Sequence, residues 1–301
     1  MIRIVTDSAS DLDTRQAEEL GVICVPLTVS FGDKNFQEGV NLSKADFYER
    51  LSTDLNFPKT SQVAPYAFEE VFREAKEAGD DVIAILLSSR LSGTCQSGLL
   101  AKQSVYGNME TEKEKGGNKG SCYIIDSRSA SAGQQLLVEY ASRLRQQGNT
   151  GKEIAKKVCH LRSGLRLFAC INTLEYLYRG GRISKAAAAI GTIINVKPIL
   201  YVKENGQPEI IARIHGNQRA ASYILEQFKK DPPDENYPIY LMYSDGEEGA
   251  LWLQKAIRRT GYPVQMQRMT QVGAVIGSHI GPHAYGIAYV SKQFGAFLPI
   301  K

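Results

Sequence analysis

The sequence predicts an α/β protein: an N-terminal doubly wound, mostly parallel sheet followed by a C-terminal α+β domain with a mostly antiparallel sheet. Three observations carry this expectation. The pattern of strand, hydroxyl-rich turn and helix recurs in the first half, at Ile2–Asp11, Asp81–Thr94 and Ser121–Ser131. Asp81-Val-Ile-Ala-Ile-Leu-Leu87 is a continuous apolar run rich in β-branched residues, as expected of a strand buried on both faces. Beyond about residue 160 the spacing changes to short strands with fewer helices. A length of 301 residues suits two domains, and the change of pattern places them at 1–160 and 161–301 with a cleft between.

Taken in order, Ile2–Thr6 reads as a first strand, followed by Asp7-Ser-Ala-Ser-Asp11, a helix to about Leu20 and a second strand over Val22–Val29. Such a βαβ unit implies parallel strands. Phe31 to Asn41 reads as a polar loop or hairpin, and Ser43 caps a helix carrying Phe47, Tyr48 and Leu51. Pro58-Lys-Thr-Ser-Gln62 reads as a hydroxyl turn, after which Pro65 opens a helix with Phe68, Val71, Phe72 and Ala75 on one face. After the Asp81 strand and its helix, Gly107 to Gly120 reads as an exposed loop. A strand at Ser121–Asp126 leads into a helix to about Gln147, and another helix runs to about Leu161.

In the second half, strands are expected at Leu165–Ile171, Val196–Val202, Glu209–Ile214, Ile239–Ser244, Val264–Met269 and Ala284–Val290. Helices fall at Leu174–Tyr178, Lys185–Ile190, Asn217–Phe228 and Glu248–Gly261, leaving a sheet covered on one side.

Composition narrows the function classes. Hydrophobic residues make up 43% and charged residues 23%, as in a soluble globular chain, and the net charge of +4 is dispersed, so a nucleic-acid footprint is unsupported. No apolar run reaches membrane length and Met1–Val5 reads as a strand rather than a signal peptide, so a cytoplasmic location is expected. The five cysteines form no CxxC pair and read as buried thiols. The sequence contains no P-loop, GxGxxG, GxSxG or HExxH motif. His279 and His283 are four apart, but Gly281 and Pro282 disfavour one helix through both, and no metal or cofactor is expected.

Candidate binding residues cluster at the hydroxyl turns. Ser92, Gly93 and Thr94 lie where a buried strand meets a helix, a junction that presents free amides and the positive end of the helix dipole to an anion. Thr60 and Ser61 form a second such group, expected on the same carboxyl side of the sheet. Hydroxyl and amide donors without a lysine suit a carboxylate better than a triphosphate. Some of these hydroxyls serve equally as helix caps, and Asp7 and Asp11 read as turn and capping residues. Arg179-Gly-Gly-Arg182 reads either as a solvated basic turn or as a contact to phosphate or an acidic partner. Ala186–Ala189 with Ile190, Ile193 and Ile194 is either ordinary core or the wall of a narrow apolar tunnel. His279, beside a glycine-rich turn, can donate a hydrogen bond to an anion.

Several short motifs occur together along the chain: Thr6-Asp-Ser-Ala-Ser-Asp-Leu12, Pro58-Lys-Thr-Ser-Gln62, Ser89-Arg-Leu-Ser-Gly-Thr94, Leu174-Glu-Tyr-Leu177 with Arg179-Gly-Gly-Arg-Ile-Ser184, Val196-Lys-Pro-Ile-Leu200 and His279-Ile-Gly-Pro282. With these the sequence resembles the DegV family. The resemblance implies a fold that buries one long-chain fatty acid, its carboxylate in the N-terminal domain and its tail in the C-terminal domain, at Ile190, Ile193 and Ile194. By position Thr60, Ser61, Ser92, Gly93, Thr94 and His279 would hold the carboxylate.

It also implies a partner, the ATP-using subunit of a bacterial fatty acid kinase, docked near Arg182, and transient membrane contact for lipid exchange. The chain itself would then be a carrier and not an enzyme. The alternatives are an acyl or phosphoryl transferase using Ser92 as nucleophile, or a regulatory lipid-binding module. Two departures from the family pattern stand out: Val63-Ala64 replaces the usual Pro-Ser, and His283 stands where glycine is usual.

Overall fold

The computed structural model describes residues 1–107, 120–184 and 195–295. The fold is mixed α/β, with a parallel sheet in the first half and a mostly antiparallel sheet in the second. Strand β1 (Ile2–Asp7) runs into a 3-10 turn at Ser8–Ser10, then α1 (Thr14–Leu20) and β2 (Val22–Val25). Asp13 and Gln16 cap α1 reciprocally, and Gly21 at φ +59° ends it in the left-handed region. The single strand expected over Val22–Val29 is broken by Pro26, which has no amide hydrogen for a sheet ladder. Past it, β3 (Thr28–Phe31) turns into a separate antiparallel sheet with β4 (Lys34–Gln37) and β5 (Lys59–Ser61) on either side. Helix α2 (Lys44–Thr53) lies between these two edge strands in sequence. The expected hydroxyl turn at Pro58–Gln62 is therefore largely a strand, with Thr60 paired to Val29.

Helix α3 (Pro65–Glu77) leads to β6 (Asp81–Leu86), α4 (Thr94–Tyr106), β7 (Cys122–Asp126), α5 (Ser131–Gln146) and α6 (Gly151–Leu161). The parallel sheet has the order β2-β1-β6-β7. Side-chain alternation divides its interior. Val5, Val82, Ala84 and Leu86 join the core under α3 and α4, while Ile4, Ile83 and Ile85 join the one under α5 and α6.

From Leu161 the chain crosses to the second sheet, beginning with β8 (Leu165–Cys170) and α7 (Glu175–Arg179). The helix expected at Lys185–Ile190, most of the Gly107–Gly120 loop, and Ile190, Ile193 and Ile194 lie outside the described residues. Then follow β9 (Val196–Val202), β10 (Pro208–His215), α8 (Asn217–Lys230), β11 (Ile239–Tyr243) and α9 (Glu248–Arg258). The described chain closes with β12 (Gln267–Gln271), α10 (Ala274–Ile280), β13 (Tyr285–Val290) and α11 (Lys292–Gly295). The strand order is β10-β9-β8-β13-β11-β12, antiparallel except between β11 and β12. Among the described residues no helix is long and apolar enough to cross a membrane.

This sheet is covered on both faces, not one. Phe168, Cys170, Ile199, Leu241 and Ile287 pack under α8 and α9, whereas Leu167, Ala169, Leu200, Val202 and Met242 turn the other way, toward the parallel sheet. Helix α5 fills the space between, touching β1 and β6 on one side and β8, β11 and β13 on the other. Most of its 16 residues are buried, including Gln134 and Gln135, so an amphipathic stripe is not what holds it. One continuous core consequently joins both sheets.

Leu137 is fully buried in that shared core. Leu137→Ala is expected to lower the free energy of unfolding by about 2–5 kcal/mol. Urea titration followed by circular dichroism checks it, and a change below about 1 kcal/mol would contradict the placement.

Candidate functional site

The site forms where the carboxyl ends of β1 and β6 meet the inner face of the second sheet. Residue Leu87 leaves β6 and the chain tightens into one helical turn, in which the Leu91 and Ser92 amides both donate to the Ser88 carbonyl. Ser92 Oγ accepts from the Thr94 amide at 3.2 Å and lies 3.0 Å from Thr94 Oγ1. Strand β5 docks against this turn. The Val63 amide donates to Thr94 Oγ1 at 3.4 Å, and Gln62 Nε2 donates to Ser97 Oγ at 3.0 Å. Gly93 lets Gln62 approach closely: a Cβ on it would stand 2.0 Å from Gln62 Oε1, so a larger residue would displace that side chain.

Helix α10 brings His279 to the same place. Its Nε2 lies 2.8 Å from Thr60 Oγ1. Gly281 at φ +74° ends the helix one residue past Ile280, so His279 and His283 do not share a face. His283 instead turns to the surface, where its amide donates to Asp245 Oδ1 at 2.5 Å and its ring Nδ1 lies 3.3 Å from Oδ2. Among the described residues no group of three or more His, Cys, Asp or Glu side chains is placed to hold a metal ion.

Thr60, Ser61, Ser92, Arg182 and His279 line one cavity together with Ser131, whose hydroxyl is bonded to Asp11, and the remainder of its wall is apolar. Leu27, Leu87 and Leu91 border the polar end, and Leu167, Ala169, Leu200, Val202 and Met242 extend the wall along the second sheet. Gly93 and Thr94 stand behind Ser92, with Thr94 fully buried. Arg182, from the Arg-Gly-Gly-Arg turn, is half-buried: its Nε donates to the Leu91 carbonyl at 3.0 Å and its Nη1 to the Gly180 carbonyl at 2.5 Å. It therefore ties that turn to the Ser92 turn and faces the cavity.

Burial sets the electrostatics. The His279 imidazole is held down to about 3 by desolvation and by the neighbouring Arg182 charge, so it is neutral near pH 7. Its Nδ1 is buried against Gly180 with no hydrogen-bond partner. A protonated Nδ1 there would strand a donor. The favoured tautomer carries the proton on Nε2, donates to Thr60 Oγ1, and leaves the Thr60 hydroxyl hydrogen to point at a ligand. Nearby carboxyls shift the other way. Burial pushes Asp7 and Asp11 up to about 6 and Glu38 up to about 7, despite hydrogen bonds that favour their charged forms.

Reading the residues alone missed the sheet wall and the inward position of Arg182. The alternation of Leu167 with Ala169 and of Leu200 with Val202 was the available signal for the wall. Ile190, Ile193 and Ile194, expected along the tail, lie outside the described residues.

Comparison with known proteins agrees with this architecture. A family model described as "Uncharacterised protein, DegV family" matches residues 1–292. A DegV domain-containing protein, TTE1491 of Caldanaerobacter subterraneus subsp. tengcongensis, is 34% identical over 97% of this chain and 99% of its own. Among solved structures, a fatty-acid-binding DegV family protein from Thermus thermophilus superimposes with a TM-score of 0.83 at 33% identity, covering 96% of this chain and 99% of that one. DegV of Bacillus subtilis, described as a fatty acid binding protein, gives 0.80 at 28% identity over 97% and 99% of the two chains.

Because the folded value for His279 lies below the ordinary 6.5, its neutral form contributes stability that is present above pH 6.5 and is lost as the pH falls toward 3. The three carboxyls act oppositely, gaining relative stability as they protonate below about pH 7. In the ligand-free protein, NMR titration is expected to find the His279 ring neutral at pH 5. A midpoint near 6.5 would contradict the described burial.

Proposed function

Since the chain belongs to the DegV family, we propose that it binds one long-chain fatty acid, the carboxylate at Thr60, Ser92 and His279 and the tail along the inner face of the second sheet. The observation that carries this reading is the distribution of polarity in one cavity: hydroxyls, an imidazole and a guanidinium at one end and, apart from Ser131 bonded to Asp11, aliphatic side chains along the rest. Relatives described as fatty-acid-binding support it.

The energetics suit that division. Each methylene withdrawn from water contributes about 0.8 kcal/mol, so the tail supplies most of the affinity. The head group fixes orientation. Thr60 and Ser92 donate hydroxyl hydrogens, with the Nε2–H of His279 polarising Thr60 from behind. Arg182 offsets part of the cost of bringing a carboxylate into a cavity of low dielectric. A neutral imidazole and two hydroxyls also tolerate conversion of the carboxylate to an acyl phosphate better than a tight ion pair would.

The second part of the reading is that the chain is a carrier that presents the carboxylate to a separate ATP-dependent kinase subunit. Two observations support it. The sequence has no P-loop, and Ser61, beside the polar end, is exposed to an approaching partner. The Arg-Gly-Gly-Arg turn is the proposed docking edge, with Arg179 outermost and Arg182 behind it. Ser92 is poorly arranged as a nucleophile, because its Oγ pairs with Thr94 while the His279 Nε2 is engaged by Thr60. We assign residues 1–160 to the domain carrying the hydroxyl turns of the head-group site and 161–301 to the domain that holds the tail and lends Arg182 and His279 to the polar end, and place the working carrier in the cytoplasm, with passing membrane contact for lipid exchange.

Native mass spectrometry before and after denaturing extraction is expected to release one fatty acid per chain. A consistently empty protein with no affinity for palmitate would refute the reading. Ser92→Ala and Thr60→Val are each expected to weaken palmitate binding about tenfold, the loss of one hydrogen bond to a charged group. Acyl phosphate should form from the loaded protein and ATP only when a kinase subunit is added.

A further inference from the structure

The polar residues around the cavity come from five separate stretches of chain, and one buried loop holds the backbone leading to three of them and bonds Ser131 directly. Asp7, Ser8 and Asp11 sit at the end of β1 with almost no exposure. Asp7 Oδ2 accepts the Leu87 amide at 2.7 Å, at the point where the chain leaves β6 for the Ser92 turn. Its Oδ1 accepts from the Ala9 amide and from Gln134 Nε2, each at 3.1 Å. Ser8 Oγ accepts the Leu27 amide at 3.0 Å, just before β3, whose Val29 pairs with Thr60. Asp11 Oδ1 accepts the Gly273 amide at 2.9 Å, at the start of the helix that carries His279, and its Oδ2 accepts from Ser131 Oγ.

The supports around Asp11 reinforce the same grip. Lys44 Nζ donates at 2.8 Å to both the Asp11 and the Gln271 carbonyls. Glu38 Oε1 accepts the Val275 amide at 3.0 Å, and Tyr48 donates to the Val272 carbonyl at 3.0 Å. Gly273 has no room for a side chain, since a Cβ would stand 2.3 Å from Glu38 Oε1 and 2.9 Å from Asp11 Oδ1. The entry to α10 is thus clamped by side chains that precede it by more than 200 residues.

We propose that Asp7, Ser8 and Asp11 are positioning residues for head-group recognition: acting through Leu87, Leu27 and Gly273, they set the mutual spacing of Ser92, Thr60 and His279. This proposal rests on the fatty-acid reading above. None of the three side chains lines the cavity, so each acts through the groups it holds: the Leu87, Leu27 and Gly273 amides and, for Asp11, also the hydroxyl of Ser131, which does line it. A carboxylate gripped by short hydroxyl and imidazole contacts is sensitive to displacements of a few tenths of an ångström, whereas an alkyl tail against aliphatic side chains is not.

The test separates head from tail by comparing palmitate with hexadecanol, which shares the chain but lacks the carboxylate. Asp11→Ala is expected to weaken palmitate at least tenfold while changing hexadecanol less than threefold. Asp11→Asn should restore palmitate binding to within threefold, because an amide can accept from Gly273 and donate to Ser131 Oγ. If Asp11→Ala does not fold, Ser8→Ala, which removes one hydroxyl and no charge, takes its place, with a selective fall in palmitate affinity expected. Unchanged palmitate binding, equal losses for both ligands, or failure of Asp11→Asn to restore binding would overturn the positioning role. Wild-type protein that binds neither ligand would instead overturn the fatty-acid reading itself.

Discussion

The carboxyl edge of the parallel sheet is roofed by a second sheet, and that burial governs the rest of the molecule. In an open α/β protein the polar groups at strand ends are solvated or held for ligand. Here Thr6, Asp7, Ser8, Ser10, Asp11 and Ser88 are almost fully withdrawn from water. Buried polar atoms without partners cost on the order of 1–3 kcal/mol each, so most of them are forced to bond across elements distant in sequence. Gln134 shows this well. From the middle layer it donates toward Thr6 Oγ1, Asp7 Oδ1 and the Ile85 carbonyl at 3.1–3.3 Å, linking β1 to β6 from above. Ser88 Oγ reaches the other way, donating to the Gly206 carbonyl of the β9–β10 turn at 2.9 Å.

Satisfying those groups leaves few donors turned inward. The apolar interior accepts Leu, Ala, Val and Met along most of the cavity, and polarity survives at one end and at Ser131, whose hydroxyl is committed to Asp11. The same low dielectric that raises Asp7, Asp11 and Glu38 keeps His279 neutral. A neutral imidazole can hold Thr60 in one orientation without itself forming an ion pair. The charge nearest the polar end resides on Arg182, already committed to the Leu91 and Gly180 carbonyls. The arrangement is therefore one of fixed dipoles with a single cation behind them, donors of the kind that suit an anionic head group.

Helix α5 explains why the two sheets do not behave as independent units. It has no solvated face wide enough to call amphipathic, and its Leu136, Leu137, Val138 and Ala141 share one core with strands from both sides. Ser131, at its first turn, adopts φ +50° and donates to Asp11, so even the start of this helix is specified by the polar loop of β1. A positive φ at a serine is uncommon and is maintained here by the surrounding contacts.

Much of the architecture was legible in the residues themselves. The continuous apolar run of β6, the Pro65 and Ser43 helix starts and the strands at Val196–Val202 and Ile239–Tyr243 follow from period, capping and β-branching, which are local properties. The hydroxyl clusters at Thr60–Ser61 and Ser92–Thr94, and His279, could be singled out because their residue types and turn contexts suit an anion. What they could not show was which hydroxyls face inward: Thr60, Ser61 and Ser92 reach the cavity while Thr94 turns behind Ser92, a matter of packing against Gln62 and Val63. Pro58–Gln62 looked like a turn because its pairing partner, Val29, lies some thirty residues away. Asp7 and Asp11 looked like turn and cap residues because their partners, Leu87 and Gly273, are remote. The sequence by itself determined the order and type of most elements, since those depend on neighbours within a few residues. Only the tertiary structure decided that one loop supports three arms of the site, because buried carboxyls take whatever donors the folded interior brings to them.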